Sequence, residues 1–566
     1  MKFRENQAAL GWLWQVSGSG KWNILWLVLI QTVLGISTVV FAWFLRGAID
    51  GAVAGDRTAF FSHIALLVAV VVVQLNLRAV KRFLDEHTKS GMENRLKERL
   101  FATLMGRDYA SVTAVHSAEW MNRLTSDTVV VAEGMTTILP DLIGMAVRML
   151  GALGMILLLA PVFGWVLIPG GILLLITSTF FRKRLKSLHK DIRESDGGLR
   201  VLLSERLSSL IIVRTFAREE QTVEEVRGKM DHHRKTRMKR NRFSNLCNIG
   251  FGAIMNGVYL AAILYCGYGI LVGTMTYGSF TAMLQMISQI QAPFANITGY
   301  MPKFYAMTAS AERLMEAEEY APSAPHGILP ADRVRAFYEK DFSAMGLEKA
   351  SFTYLPHGGQ GDKSAEPQVF HDLDIRIRKG EFVAFTGQSG SGKSTVLKLL
   401  MGLYALDGGD CYLEQTDGGR IPCDARYTRL FAYVPQGNYL MTGTLRELVA
   451  FGDRDKMADE ALLQRAITIA CADDFVRDLK DGLDTLLGER GTGLSEGQMQ
   501  RIAIARAICS DNPILILDEA TSALDEATES RVLENLRAMT DKTVLIVTHR
   551  PAALAVCHRQ ISMAES

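Results

Sequence analysis

Residues 494–525 read LSEGQMQRIAIARAICSDNPILILDEATSALD. A polar turn, Ser495-Glu496-Gly497, opens a helical run. An apolar strand over 514–517 closes it, capped by two carboxylates, Asp518 and Glu519. A buried strand that ends in acids is a place to hold Mg²⁺ and to orient a water at a phosphate.

The phosphate site lies upstream. A second apolar strand, 382–385, runs into Gly387-Gln388-Ser389-Gly390-Ser391-Gly392-Lys393-Ser394-Thr395. That is a complete P-loop in the required strand–loop–helix context. Its glycines let backbone N–H groups converge on phosphate oxygens, and the following helix adds its N-terminal dipole. Lys393 supplies a point charge for the β and γ phosphates, and Ser394 can ligate Mg²⁺. A nucleoside triphosphate with Mg²⁺ is therefore the expected ligand.

In combination and order, these motifs resemble those of ATP-binding cassette (ABC) transporters of the exporter type. The resemblance makes Leu494-Ser495-Glu496-Gly497-Gln498 the signature, 514–518 the Walker B strand and Ser522-Ala523-Leu524-Asp525 the D-loop. It implies that ATP and Mg²⁺ are the cofactors, that Asp518 holds Mg²⁺ and that Glu519 polarises the attacking water. Gln436, in Tyr433-Val434-Pro435-Gln436, matches the Q-loop and would touch Mg²⁺ and the γ-phosphate region. His549 matches the switch histidine, and Tyr354 the aromatic that stacks on adenine. Gly488-Glu489-Arg490-Gly491 resembles an exporter-type loop that contacts coupling helices. In this family Ser495, Gly497 and Gln498, with the D-loop Asp525, complete the site of the partner subunit. One chain then cannot build a whole site, and two must sandwich two ATP. Glu496 stands where the commonest signature has glycine. A homodimer, and a heterodimer with a second half-transporter, both stay open.

Long apolar runs crowd the first 320 or so residues and are absent afterwards. At 1.5 Å rise per residue, about 20 apolar residues cross about 30 Å of hydrocarbon. Spanning candidates lie near 22–45, 60–77, 138–160, 162–181, 246–272 and 280–304, and 6–16 reads as a short interfacial helix. Basic clusters follow the second and fourth spans and precede the fifth, at Arg95, Lys97, Arg99 and Arg107, at 182–186 and at 234–242. The positive-inside rule puts them in the cytosol, with both termini. The two long excursions they mark, about 84–134 and 182–242, resemble those of ABC exporters, each bending through a coupling helix, expected near 108–115 and 207–212. Polar residues inside spans are costly and therefore candidates for function. Arg148, Gln74, Gln285 and Gln289 are candidates to face a substrate cavity, against the plainer reading of hydrogen bonding between helices.

The expected architecture is multidomain. An all-α polytopic membrane domain with six transmembrane helices (1–320) is followed by a linker (321–344), where Pro322, Pro325 and Pro330 mark a boundary. An α/β P-loop ATPase domain of the ABC type (345–566) completes it. A net charge of +2 argues against a nucleic-acid partner bound by bulk charge. Seven scattered cysteines without a C-x-x-C pair read as reduced. The N-terminal segment does not read as a cleavable signal. The function implied is ATP-driven transport, most simply export of a hydrophobic or amphipathic small molecule, lipid or peptide. Import of a siderophore-like chelate by the same fold, and an ATP-gated channel, are the alternatives. By resemblance, the compact half-transporter suits a bacterial plasma membrane.

Overall fold

The computed structural model describes residues 2–323, 327–355, 367–437, 440–488 and 493–563; the side chains of 2–7, 164–183, 186, 255, 291–299 and 301 are excepted. Most of the loop at 488–491 and Pro325 of the linker fall outside them.

Ten helices come first: α1 (Lys2–Val16), α2 (Gly20–Val53), α3 (Arg57–Gly106), α4 (Tyr109–Ala114), α5 (Ser117–Asn122), α6 (Thr128–Leu159), α7 (Gly164–Ser208), α8 (Leu210–Thr215), α9 (Glu219–Leu271) and α10 (Tyr277–Glu319). The six expected spans fall on α2, α3, α6, α7, α9 and α10. Among the described residues, α2, α3, the run from α5 through α6 (Ser117–Leu159), and α9 are long and apolar enough to cross a membrane. The side chains of the apolar part of α7 lie outside those described. The expected coupling segments become the short helices α4 and α8; α8 begins three residues later than its segment (210 against 207).

The chain divides into two compact units, residues 1–96 with 126–312, and residues 97–125 with 313–566. In the first unit, α2 and α6 pack closely through small residues. A Cβ on Gly35 would come within 3.2 Å of the Gly144 carbonyl, and one on Gly144 within 3.0 Å of the Gln31 Cβ. Between apolar helices in lipid, such close approach supplies the attraction that water supplies elsewhere. Asp50, in the last turn of α2, accepts from the Gly278 N–H (2.9 Å) and the Thr276 hydroxyl (3.0 Å), which fixes the turn before α10.

The second unit gathers the nucleotide half and the tip of the first excursion. Its elements are α11 (Ala331–Lys340), β1 (Phe342–Thr353), β2 (Gln368–Arg378), β3 (Phe382–Thr386), α12 (Lys393–Leu400), β4 (Gly408–Gln415), β5 (Arg420–Pro422), β6 (Phe431–Val434), β7 (Gly443–Thr444), α13 (Leu445–Val449), α14 (Glu460–Ile469), α15 (Asp473–Asp478), β8 (Leu486–Leu487), α16 (Glu496–Cys509), β9 (Ile514–Asp518), α17 (Glu526–Arg537), β10 (Thr543–Val547), α18 (Pro551–Val556) and β11 (Arg559–Ser562). The proline-marked linker thus carries a helix, α11, which buries Val334 and Tyr338. The first strand begins at Phe342, three residues before the expected start of the domain at 345.

β11-β3-β10-β9-β6 form a parallel sheet, and β2-β1-β4-β5 an antiparallel one. β9 and β10 are buried along their whole length, the pattern of a parallel sheet covered on both faces. In this unit Arg123, 4% exposed, anchors the excursion tip to the end of α10. It donates to the Arg313 carbonyl (2.9 Å), pairs with Glu119 (2.7 Å) and Glu316 (3.0 Å), and lies 4.5 Å over the Trp120 ring.

Candidate functional site

The strand–loop–helix that the sequence singled out is β3, the loop 387–392 and α12. Gly387, Gly390 and Gly392 have φ of 137°, 89° and 86°, a conformation that side chains resist. Gln388, Ser389 and Gly390 are exposed at the loop tip. Lys393 is buried and turns into the loop. Its ammonium donates to the carbonyls of Gly387 (2.8 Å) and Gln388 (2.6 Å) and to the Ser391 hydroxyl (3.4 Å). Those acceptors hold a charge where phosphate oxygens would otherwise stand. Thr395, two residues on, shares a 2.7 Å hydrogen bond with the Tyr354 hydroxyl, which brings that aromatic to the loop.

The two acids sit at the end of β9. Asp518 is 2% exposed and accepts from the Ser394 hydroxyl (2.9 Å) on one oxygen and the Tyr433 hydroxyl (3.0 Å) on the other. Burial pushes its carboxyl up, and the two hydroxyls work against that shift. A buried carboxylate beside a serine hydroxyl is a hard-oxygen donor set of the kind Mg²⁺ takes, so these residues fit the ion. Glu519 sits in the left-handed region, φ 50°, and accepts a 2.6 Å hydrogen bond from the Gln436 amide. Such backbone strain in a side-chain-bearing residue clusters at functional sites. β10 pairs with β9 in a register that sets Val547 beside Asp518. His549 follows two residues on and is exposed.

The signature residues form a second group. Ser495 caps α16 in a capping box: its hydroxyl accepts from the Gln498 N–H (3.3 Å), and the Gln498 side chain accepts from the Ser495 N–H (2.8 Å). Gln498 is thus occupied with the cap. A Cβ on Gly497 would come within 2.8 Å of the Ala523 carbonyl, so glycine is what lets the D-loop approach. Asp525 caps α17, accepting from the Thr528 N–H at 2.9 Å, and that bond holds its carboxyl below the usual range. Glu496 is exposed in the first turn of α16, where the helix dipole favours a negative charge.

Four residues that sequence reasoning missed tie these parts together. Tyr433 orients Asp518, as above. Gln500 donates to the Ser522 hydroxyl (3.0 Å) and accepts from the Ala523 N–H (3.0 Å), joining signature helix to D-loop. Arg550, next to His549, donates to the Leu524 carbonyl (2.7 Å) and to Glu529 (3.0 Å). Tyr404 lies between Tyr109 of α4 and Tyr354, with edge-to-face centroid distances of 5.6 and 5.5 Å. Burial pushes its hydroxyl up to about 12.

The expected cavity residues are dispersed. Arg148 folds back on its own helix, 3.3 Å from the Gly144 carbonyl. Gln74 donates to the Ser37 hydroxyl at 3.1 Å. Gln285 and Gln289 are half-buried, and the Gln285 side-chain oxygen is buried without a donor among the described residues. What the fold does assemble is a cluster on Asp141. That carboxylate accepts from the Gln31 amide, from Lys81 (2.9 Å) and from the Tyr300 hydroxyl (3.1 Å), joining four helices.

Comparison with known proteins agrees with this geometry. The family model described as ABC transporter transmembrane region matches residues 24–294, and that described as ABC transporter matches 370–522. The chain is 28% identical over 509 residues to the ATP-dependent lipid A-core flippase of Pasteurella multocida, covering 88% of this chain and 83% of that protein. It is 29% identical over 495 residues to the mouse mitochondrial ATP-binding cassette sub-family B member 10, with 86% and 67% covered. It is also 27% identical over 464 residues to rat antigen peptide transporter 2, with 82% and 63% covered. Among solved structures, a bacterial Atm1-family ABC exporter with ATP bound has the same fold, with a TM-score of 0.77 at 22% identity over 96% of this chain and 94% of that one. A membrane region and an ATPase region in one chain, matched in that order, make it an exporter-type half-transporter of the ABC transporter family.

Proposed function

We propose that the chain, paired with a second half, exports a hydrophobic or amphipathic small molecule, lipid or peptide by alternating access powered by ATP. The single observation that carries the reading is the junction of P-loop, strand-end acids and Q-loop through Ser394–Asp518 and Gln436–Glu519. Those contacts bring phosphate binding and water activation into one place.

On this reading Lys393 exchanges its loop carbonyls for the β and γ phosphates. Gln436 hands Glu519 over to the attacking water, whose oxygen bonds to the γ-phosphorus as the bond to the β-side oxygen breaks. Glu519 orients that water and takes up its proton, and His549 contacts the γ-phosphate. Asp518 and Ser394, with Gln436, would hold Mg²⁺, which supplies charge neutralisation on the phosphate oxygens. Ser495 and Gly497 cap the nucleotide held by the partner. The tip of the second excursion supports pairing. Leu207, Ile211 and Phe216 are exposed to 70–77%, an apolar end that a second chain would cover. The membrane helices and the bacterial relatives support an inner-membrane setting with both termini cytosolic.

The test is transport in inside-out vesicles. Accumulation of cargo that requires ATP supports export; ATP-driven depletion supports import, and a passive ion current supports a channel.

Tyr404 joins Tyr354 to Tyr109 at the tip of the first excursion. Replacing it with alanine removes these two edge-to-face contacts and a third, with Phe352 (5.5 Å), each worth about 0.5–1.5 kcal/mol. Tyr404→Ala is expected to cut cargo stimulation of ATPase about ten-fold, by 1.4 kcal/mol per decade. Stimulation equal to wild type would remove Tyr404 from the coupling route.

A second reading, a polar chelate as cargo, draws on the Asp141 cluster. Ionisable groups in a membrane domain that pair across helices mark substrate or ion routes. Asp141→Asn is expected to raise the cargo concentration for half-maximal ATPase stimulation by about thirty-fold or more, the effect of about 2 kcal/mol or more for one truncated charge pair. A titration that superimposes on wild type would leave the cluster a structural brace.

A further inference from the structure

β4 and β5 are antiparallel, and their register (Tyr412 with Pro422, Leu413 with Ile421), carried one residue past the end of β5, sets Cys411 opposite Cys423. The Cys423 N–H donates to the Cys411 carbonyl at 3.0 Å, the hydrogen-bonded kind of cross-strand pair. Cα atoms in such pairs stand about 5.5 Å apart, within the range that a disulfide spans. Both side chains face the core between the sheets. Both thiols end on adjacent carbonyls at the C-terminus of α12, Cys411 on Leu399 (3.6 Å) and Cys423 on Leu400 (2.9 Å). That helix carries Lys393 and Ser394 at its other end.

We propose that Cys411 and Cys423 form a redox-active dithiol, oxidised to a disulfide by peroxide and returned by thiols, that lowers ATPase activity through the P-loop helix. The roles of the two sulfurs follow from their surroundings. Cys411 is partly exposed and Cys423 is buried. The hydrogen bond with Cys411, and then burial, push the Cys423 thiol well above its usual range. Cys411 is therefore the attacking sulfur and Cys423 the resolving one. The Cys411 sulfur attacks hydrogen peroxide: an S–O bond forms, the O–O bond breaks and water leaves. The Cys423 sulfur then attacks the sulfenic sulfur. An S–S bond forms, the S–O bond breaks, and the departing hydroxide takes the Cys423 proton as a second water. Two thiols and one peroxide yield one disulfide and two waters. A disulfide sulfur has no proton to donate, so Leu399 and Leu400 lose their thiol donors. Leu400 is among the terminal carbonyls that a helix cannot satisfy itself.

The experiment uses the full chain in lipid nanodiscs, treated with hydrogen peroxide, digested with trypsin and weighed. Cleavage at Arg420 separates 399–420, with Cys411, from 421–426, with Cys423. The expected result is these two peptides joined with the loss of two hydrogens. ATPase should fall about three-fold, the scale of one lost hydrogen bond, and return with dithiothreitol. The fall should be absent in Cys423→Ser, and in the less buried Cys411→Ser should the first variant fail to fold. Unlinked peptides after peroxide, linkage with unchanged ATPase, or a fall that persists in the folded serine variants would each overturn the proposal.

Discussion

Glu519→Gln is expected to lower the ATPase kcat of the protein in lipid nanodiscs about a thousand-fold, the range that loss of a general base produces. Nucleotide binding should survive. The substitution keeps volume and backbone, and glutamine meets the same φ of 50° that glutamate does. The Glu519 N–H bond to the Val547 carbonyl (3.2 Å), which fixes this turn against β10, is a main-chain bond and is unaffected. Lys393, Ser394 and Asp518 keep their partners. What disappears is the negative charge that orients a water and accepts its proton. The variant should therefore accumulate bound ATP while turnover stalls, read by retention of labelled ATP beside a phosphate-release assay. Hydrolysis at the wild-type rate would remove Glu519 from the role of base and leave Asp518 or His549 to be examined.

The reach of the sequence here follows the range of each interaction. The P-loop was legible because its requirement is local: glycines at fixed offsets, then lysine and serine opening a helix. The acids of β9 were legible because an apolar run ending in Asp-Glu is also local. The spans were legible from length and apolarity, which hold without knowledge of neighbours. Tyr404, Tyr433, Gln500 and Arg550 carried no such signal. Each acts on a group distant in sequence, and only the sheet register and helix packing bring the pair together; β6 beside β9 is what lets Tyr433 reach Asp518. Their residue types are ordinary for strands and helices. α11 was legible in principle, since Val334 and Tyr338 stand four apart on one helical face, but the flanking prolines read as a boundary. In the membrane half, the sequence offered single polar residues without partners. Arg148 drew notice as a charge inside a span, yet its guanidinium stays by its own helix, while Asp141 gathers Gln31, Lys81 and Tyr300 from three others.

Mixing two inactive variants is expected to restore hydrolysis if the signature serves the partner's site. Lys393→Ala removes the phosphate charge of a chain, and Ser495→Arg fills its signature turn. Ser495 is exposed at the start of α16 and its side chain serves the cap, so the larger residue costs the helix about 1 kcal/mol and leaves the rest of the domain folded. Each variant alone should lose essentially all activity, because every site in its homodimer contains one damaged half. In the mixed dimer one site pairs an intact P-loop with an intact signature, while the other collects both lesions. Random pairing makes half of the dimers mixed, each with one sound site of two, so recovery should approach about a quarter of wild type. The assay is phosphate release after the two variants are co-expressed with different affinity tags and purified through both in turn, which enriches the mixed dimer and should double the recovery. Activity that stays at background in that doubly purified dimer would rule out independent sites built in trans from this chain. Wild-type chain that folds, yet hydrolyses nothing alone, would point instead to a second half-transporter whose own P-loop receives the Ser495 turn.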